Sequence, residues 1–249
     1  MLMSVGAELE PATGFTGRYR ADDYNSGTGT WSDSSGNGHN LVLGGGTAPG
    51  KTTSDANFNG KPTVTFNGTT QWIESAIALS SLIATTAHTI YGVIRPTASA
   101  GTGAPSGSGS PVGYTHVLGD SDNTAAGGYL ALVIGGSAGR YLCQDVYSSG
   151  NKWANTATGL TLSTVYGFRL VHASGTLYTR ASGITEASVA AGTMGSVADF
   201  LQIGRDYQQN AGSAYTGEMA ELIFYNTNLS AGDKTATEAY IAQRYGITW

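Results

Sequence analysis

Short runs of β-branched or alternating residues recur along this 249-residue chain, each bounded by a cluster of Gly, Asn, Asp or Ser. No other feature limits the fold so sharply. Pro62-Thr-Val-Thr-Phe66 alternates and leads into Asn67-Gly68, a strong hairpin signal, with Gln71 to Ser75 as the expected return strand. His88 to Arg95 is long and β-branched, and Pro96 closes it. Tyr129 to Ile134 and Arg140 to Tyr147 are expected to pair across Gly135-Gly136. Val165 to His172 and Thr176 to Ala181 should do so across Ser174-Gly175. Phe200 to Gly204 and Glu218 to Tyr225 add two more strands. Many short strands at this spacing predict a sandwich or barrel rather than a βαβ fold.

Three segments depart from that rhythm. Residues 97–113 are rich in Gly, Ser, Ala and Pro and have almost nothing to bury, so they read as a surface loop within one domain. Ser230 is a good N-cap with Asp233 three residues on, and Gly246 stands where a helix C′ residue is expected. The stretch from Ala231 to Tyr245 therefore reads as a helix, with Ala236, Ala239, Tyr240 and Tyr245 as its apolar stripe. Residues 1–13 have Leu2, Met3, Val5 and Leu9 but no clear period. They read as an arm that docks on a partner subunit, or as an edge strand, ahead of one domain over 14–249.

Composition narrows the function classes. Hydrophobic residues reach 40%, enough for a sizeable core, while only 12% are charged, about half the usual quarter. The 14 Tyr, 6 Phe and 4 Trp argue against global disorder. Twelve scattered basic residues and a pI near 5.2 give no phosphate-binding stripe, so a nucleic-acid partner is disfavoured. No apolar run approaches the ~20 residues that span a bilayer. Cys143 is the only cysteine, which rules out an internal disulfide and any cysteine-based zinc or redox motif. The first six residues carry no basic n-region and no long apolar h-region, so no secretory signal is read there.

Three blocks stand in order along the chain. Tyr19-Arg-Ala-Asp22 is followed by Trp31-Ser-Asp-Ser-Ser-Gly-Asn-Gly-His-Asn40. Gly60-Lys-Pro-Thr-Val-Thr-Phe-Asn-Gly68 comes next. Gly217-Glu-Met-Ala-Glu-Leu-Ile-Phe-Tyr-Asn226 precedes Leu229-Ser230 and a helix ending Tyr245-Gly-Ile247. Together they resemble the concanavalin A-like, laminin-G-like jelly-roll domains, above all their bacterial and phage group. The resemblance implies an all-β fold: an antiparallel two-sheet jelly-roll sandwich with a short C-terminal α-helix. It also implies calcium at the sandwich rim in some members. Asp120, Asp122 and Asn123 form an oxygen-rich loop that could hold such an ion. Asp33 and Asn37 either cap the Ser34 to Gly38 turn or give oxygens to a hard cation.

Catalysis finds little support. Retaining glucanases with this jelly roll need two carboxyl groups about 5–5.5 Å apart, carried at two-residue spacing on one strand face. Glu218 and Glu221 are three apart, so on a regular strand they would face opposite sides. No helical His pair, nucleophile elbow or phosphate cradle is present, and Cys143 lies within an apolar strand. The chain is therefore read as a non-enzyme.

Sugars offer C–H faces that stack on aromatic rings, and hydroxyls for Asp, Asn and Gln. Arg205, Asp206, Tyr207, Gln208 and Asn210 form a polar loop with no evident core role, and Tyr147 with Trp153 form a second cluster. Trp31 and Trp72 read as packing anchors. These features point to a lectin-like surface module, most simply a bacteriophage virion protein (capsid decoration or tail adhesin) that binds polysaccharide. Such a protein is made in the cytoplasm and released by lysis. Its partners would be other virion subunits, with a homo-oligomer left open. The alternative is an extracellular glycan-binding domain of a secreted bacterial protein or carbohydrate-active enzyme.

Overall fold

The computed structural model describes residues 8–99, 115–120, 130–135, 140–147, 151–195, 199–205 and 213–249. In chain order the strands are β1 (Gly17–Arg20), β2 (Tyr24–Asn25), β3 (Thr30–Trp31), β4 (Leu41–Gly46), β5 (Gly50–Asp55) and β6 (Lys61–Asn67). There follow β7 (Gln71–Ala78), β8 (Ala87–Pro96), β9 (Thr115–Asp120), β10 (Leu130–Gly135), β11 (Tyr141–Tyr147) and β12 (Asn151–Asn155). The last are β13 (Tyr166–Ala173), β14 (Thr176–Ala181), β15 (Ala187–Ala190), β16 (Phe200–Ile203) and β17 (Thr216–Tyr225), before helix α1 (Ala231–Tyr245). They form two antiparallel sheets. One has eight strands in the order β15-β14-β13-β8-β17-β6-β5, with β1 also on β17; the other has nine, in the order β12-β11-β10-β9-β16-β7-β4-β3-β2. The expected all-β sandwich with a C-terminal helix is the fold observed.

The main core lies between the sheets. Ile90, Ile94, Phe168, Leu170, Met219, Leu222 and Phe224 from the eight-stranded sheet meet Leu41, Ile73, Leu118, Leu132, Ile134, Leu142, Leu201 and Ile203 from the other. Trp31 is buried there, as expected of an anchor, and its indole N–H donates to the Arg20 carbonyl (2.6 Å). Cys143 is a buried thiol on the opposite face of the nine-stranded sheet, packed with Ala131 and Val133.

Helix α1 occupies the predicted residues. Ser230 caps it by accepting from the Asp233 N–H (3.1 Å), and Gly246 at φ 68° sends its N–H back to Ala242 (2.9 Å). Its buried stripe differs from the expected one. Thr237, Tyr240, Ile241, Arg244 and Tyr245 are buried, while Ala236 and Ala239 are exposed. The observed set follows the i, i+3, i+4, i+7, i+8 pattern of one helix face. Two polar members are tolerated because they are bonded. Thr237 Oγ1 accepts from the Ala12 N–H (3.1 Å), and Arg244 donates to Asp22 and Glu8 at 2.7 and 2.6 Å. Beneath the helix Glu221, 1% exposed, accepts from Arg18, Tyr240 and Tyr245 at 2.7–2.9 Å.

Two sequence expectations are corrected. Asn67-Gly68 does not close a hairpin: β6 pairs with β17 and β5, whereas β7 pairs with β4 and β16 in the other sheet. A type I′ turn needs φ > 0 at both central residues, and here only Gly68 (φ 73°) is left-handed. Asn67 Oδ1 instead accepts from the Thr69 and Thr70 N–H groups (both 3.0 Å), forming an arch that carries the chain between sheets. Ser174 (φ 50°) and Gly175 (φ 75°) meet the requirement, and they do join β13 to β14 as a hairpin. The second correction concerns Glu218 and Glu221. A register shift between Met219 and Glu221 places them opposite Arg95 and Val93, which are two apart, so both carboxylates share the helix-covered face. Glu218 is held there by Arg95 in a bidentate pair (both 2.9 Å).

Candidate functional site

The two outer faces of the sandwich are used differently. On the eight-stranded sheet, Tyr91, Val93, Ala220, Ile223 and Tyr225 are covered by α1 and by the segment at Ala12 and Phe15. Over the nine-stranded sheet no described helix or strand packs. That sheet's outer face is where β4, β7 and β16 bring a distinctive group together.

The two-residue period of β7 sets its faces. Ile73, Ser75 and Ile77 turn toward the core, which leaves Trp72, Glu74, Ala76 and Ala78 on the outer face. Gly45 of β4 stands opposite Trp72; Val42 and Gln202 flank Glu74 from β4 and β16; Phe200 stands opposite Ala78. Gly44 and Gly45 lie against the Trp72 indole, and a Cβ on either would run into the ring. Gly204, at φ 89°, turns the chain out of β16, packs on Phe66 and sets the next residue over that indole. The Arg205 guanidinium carbon stands 3.9 Å from the Trp72 ring centroid. A cation at this distance over an indole contributes ~0.5–2 kcal/mol. The indole thus contacts both the glycine backbone and the guanidinium. Glu74 lies beside it, and Gln202 beyond has a buried Oε1 that accepts no hydrogen bond.

Such an arrangement brings together N–H donors, a carboxylate acceptor and an apolar ring edge. A polyhydroxylated ligand uses all three, giving hydroxyl protons to Glu74 and accepting from Arg205.

The residues singled out from sequence do not all meet here. Arg205 does. Asp206, Tyr207, Gln208 and Asn210 lie outside the described residues, as do Asp122, Asn123, Leu2, Met3, Val5 and residues 100–114. Trp153 is on β12, four strand positions from β16, so ~19 Å away at ~4.8 Å per strand. Its indole packs partly buried against Ala131, Val133 and Cys143. The backbones of Tyr147 and Asp120 are placed on β11 and β9. Asp33 is saturated: its oxygens accept from the Arg18, Ser35 and His39 N–H groups and from Ser35 Oγ at 2.6–3.0 Å. Partial burial opposes its ionisation, but the Ser35 hydroxyl and those N–H groups outweigh it and hold the carboxyl below the usual range. Asn37 turns its amide N–H toward the Thr16 carbonyl (3.1 Å). Both side chains thus hold the turn. Leu9, 44% exposed, is tied by its N–H to Gln243 Oε1 (2.7 Å).

Trp72, Glu74 and Gly44-Gly45 are the site residues that sequence reasoning misses. The available signal is the alternation Trp72-Ile-Glu-Ser-Ala-Ile77, which sets an aromatic and a carboxylate on the face opposite Ile73, Ser75 and Ile77; the arch, unforeseen, is what assigns β7 to the nine-stranded sheet.

No family model matches the chain, and no curated protein matches it. Solved structures do. Domain 4 of AbnA, an extracellular GH43 arabinanase from Geobacillus stearothermophilus, in complex with arabinotriose, aligns with a TM-score of 0.65 at 15% identity, over 92% of this chain and 98% of that one. A sialidase from Trypanosoma rangeli aligns at 0.61 and 14% identity, over 98% of this chain and 35% of that one. A GH54 α-L-arabinofuranosidase aligns at 0.59 and 14%, over 87% and 50%. The chain therefore spans about a third and half of those two enzymes. The likeness shows the fold: an antiparallel β-sandwich.

Proposed function

We propose that the protein is a non-catalytic glycan-binding module whose ligand lies on the outer face of the nine-stranded sheet. The observation that carries this reading is the Arg205 guanidinium stacked on Trp72 beside Glu74, on a face without a described covering element. Pre-stacking fixes the guanidinium before the ligand arrives, so less side-chain entropy is lost on binding. The non-catalytic reading rests on the outward carboxylates Glu218 and Glu221, both committed to arginine partners under or beside the helix. The arabinotriose complex of the AbnA domain makes arabino-oligosaccharides the first probes to try.

The chain's place of action is read as a virion surface. The support is the ordered set of blocks from Tyr19 to Ile247, which resembles a bacterial and phage group of jelly rolls.

The test is calorimetric titration of the protein with arabinan, xylan, galactan and β-glucan fragments, repeated with Arg205→Ala and Glu74→Gln. Binding of at least one neutral glycan, weakened about tenfold or more by each change, is expected. Absence of binding across the panel, or binding that both variants leave intact, would overturn the reading.

A further inference from the structure

One end of the core between the sheets is polar. There His88 of β8 and His172 of β13 stand opposite each other, both fully buried. Gln144, also fully buried, reaches His88 from β11 of the other sheet, with its Nε2 3.3 Å from His88 Nε2. Each ring sets one nitrogen against a backbone carbonyl: His88 Nδ1 lies 3.1 Å from Ala84 O, and His172 Nε2 lies 2.8 Å from Gly192 O. Those nitrogens carry the ring protons, so His88 Nε2 is the acceptor of the Gln144 amide. This contact between the sheets holds only while His88 is neutral. A proton on Nε2 sets an N–H against the amide donor and puts a charge in a fully buried place. The groups that face His88 do not compensate. His172 of β13 opposes a positive charge there, while Gln144 of β11 and Leu177 and Thr179 of β14 are neutral. The buried carboxylate Glu221 is on the other face of its sheet, bonded to Tyr240 of the helix.

The strand that supplies Gln144 belongs to a unit built to move as one. Strands β10, β11 and β12 pair in sequence order as a meander at the end of the nine-stranded sheet. Local units of this kind open cooperatively. Among the described strands the meander joins the rest of its sheet through β10 on β9, and that pairing shifts register between Leu132 and Val133. Such a shift interrupts the ladder and bends the strand. Across the core, β11 and β12 pack on β14 and β15. We infer that the β10–β12 meander is an acid-released flap, latched by Gln144 on neutral His88, freed when His88 gains a proton and hinged at the β9–β10 register shift. The closed form excludes the proton, whereas the opened form takes it up near 6.5. Opening is therefore favoured about tenfold more for each pH unit below about 6.5, down to about 4, where the closed form takes up the proton too. The face on β4, β7 and β16 is outside the flap, and glycan binding there neither requires nor prevents its release.

The experiment is amide hydrogen exchange of the full chain at pH 7 and pH 4.5, corrected for the intrinsic effect of pH on exchange, for the wild type, His88→Gln and Gln144→Glu. In the wild type the amides of β11 and β12 should lose about a hundredfold in protection at pH 4.5 and exchange well ahead of those in β6, β7 and β17. His88→Gln keeps a donor for the Ala84 carbonyl but has no proton to gain, and Gln144→Glu offers a carboxylate to the protonated ring. Each should hold β11 and β12 within about threefold of their protection at pH 7. Protection in β11 and β12 that does not fall, that falls equally in every strand, or that falls as far in His88→Gln overturns the flap. Circular dichroism at pH 7 checks that each variant is folded; should His88→Gln fail that check, the same criterion passes to Gln144→Glu.

Discussion

Single residues decide how the outer face of the nine-stranded sheet is built. Gly44 and Gly45 give the Trp72 indole a bed of backbone, so Gly45→Ala should push the ring out of place. The expected result is a loss of about 1–3 kcal/mol in urea denaturation, together with weaker oligosaccharide binding; unchanged stability and binding would show that the ring has another seat. A different residue governs behaviour in acid. His88, fully buried, sits cross-strand from His172 with ring centroids 5.6 Å apart. Burial pushes it down to about 4; the Ala84 carbonyl at 3.1 Å opposes that shift and His172 adds to it. The unfolded chain takes up this proton near 6.5. Between the two values the unfolded state holds more protons, so stability is full above about 6.5 and falls as the pH drops toward 4. The loss should reach about 3 kcal/mol. Urea midpoints at pH 7 and pH 4.5 check this, and His88→Gln should flatten that stretch. Midpoints that do not fall, or a fall that His88→Gln leaves intact, would contradict it.

Elements show where local chemistry is enough and where it is not. The helix was legible because its boundaries are set by its own termini, Ser230 and Gly246. Ser230→Ala should cost about 1 kcal/mol in thermal or urea unfolding, and no loss would mean the cap is idle. Its buried face was less legible, because Arg244 and Thr237 become core-compatible only through Asp22, Glu8 and Ala12, more than 200 residues away in sequence. The turns divide in the same manner. Ser174-Gly175 announces a hairpin and makes one. Asn67-Gly68 announces the same and makes an arch, because Asn67 spends its side chain on Thr69 and Thr70 rather than adopting a left-handed backbone. Strand β5, Gly50–Asp55, gave no signal because as an edge strand it buries little and needs no apolar alternation.

At the scale of the whole molecule the sandwich is asymmetric. One outer face is sealed by α1 and residues 8–15, locked by Glu221 with Arg18, Tyr240 and Tyr245; the other presents Trp72, Glu74, Phe200 and Arg205. The fold class could be read from strand rhythm, since every hydrophobic run must bury one face. The site could be read only at Arg205, because its other members come from β4, β7 and β16, which sequence order does not bring together. A cleft of about 460 Å³ lies on the sealed side, lined by Arg169, Arg180, Glu186 and Trp249, but its charges pair with one another and with Glu238. It therefore serves as the natural comparison surface for mapping. The most direct measurement is amide chemical-shift perturbation of the labelled protein on addition of a neutral glycan fragment that binds it. The account predicts shifts concentrated at Val42 to Gly46, Trp72 to Ala78 and Phe200 to Arg205, with α1 and the Trp249 cleft unmoved. Shifts centred on α1 or on Trp249, with β7 silent, would contradict it.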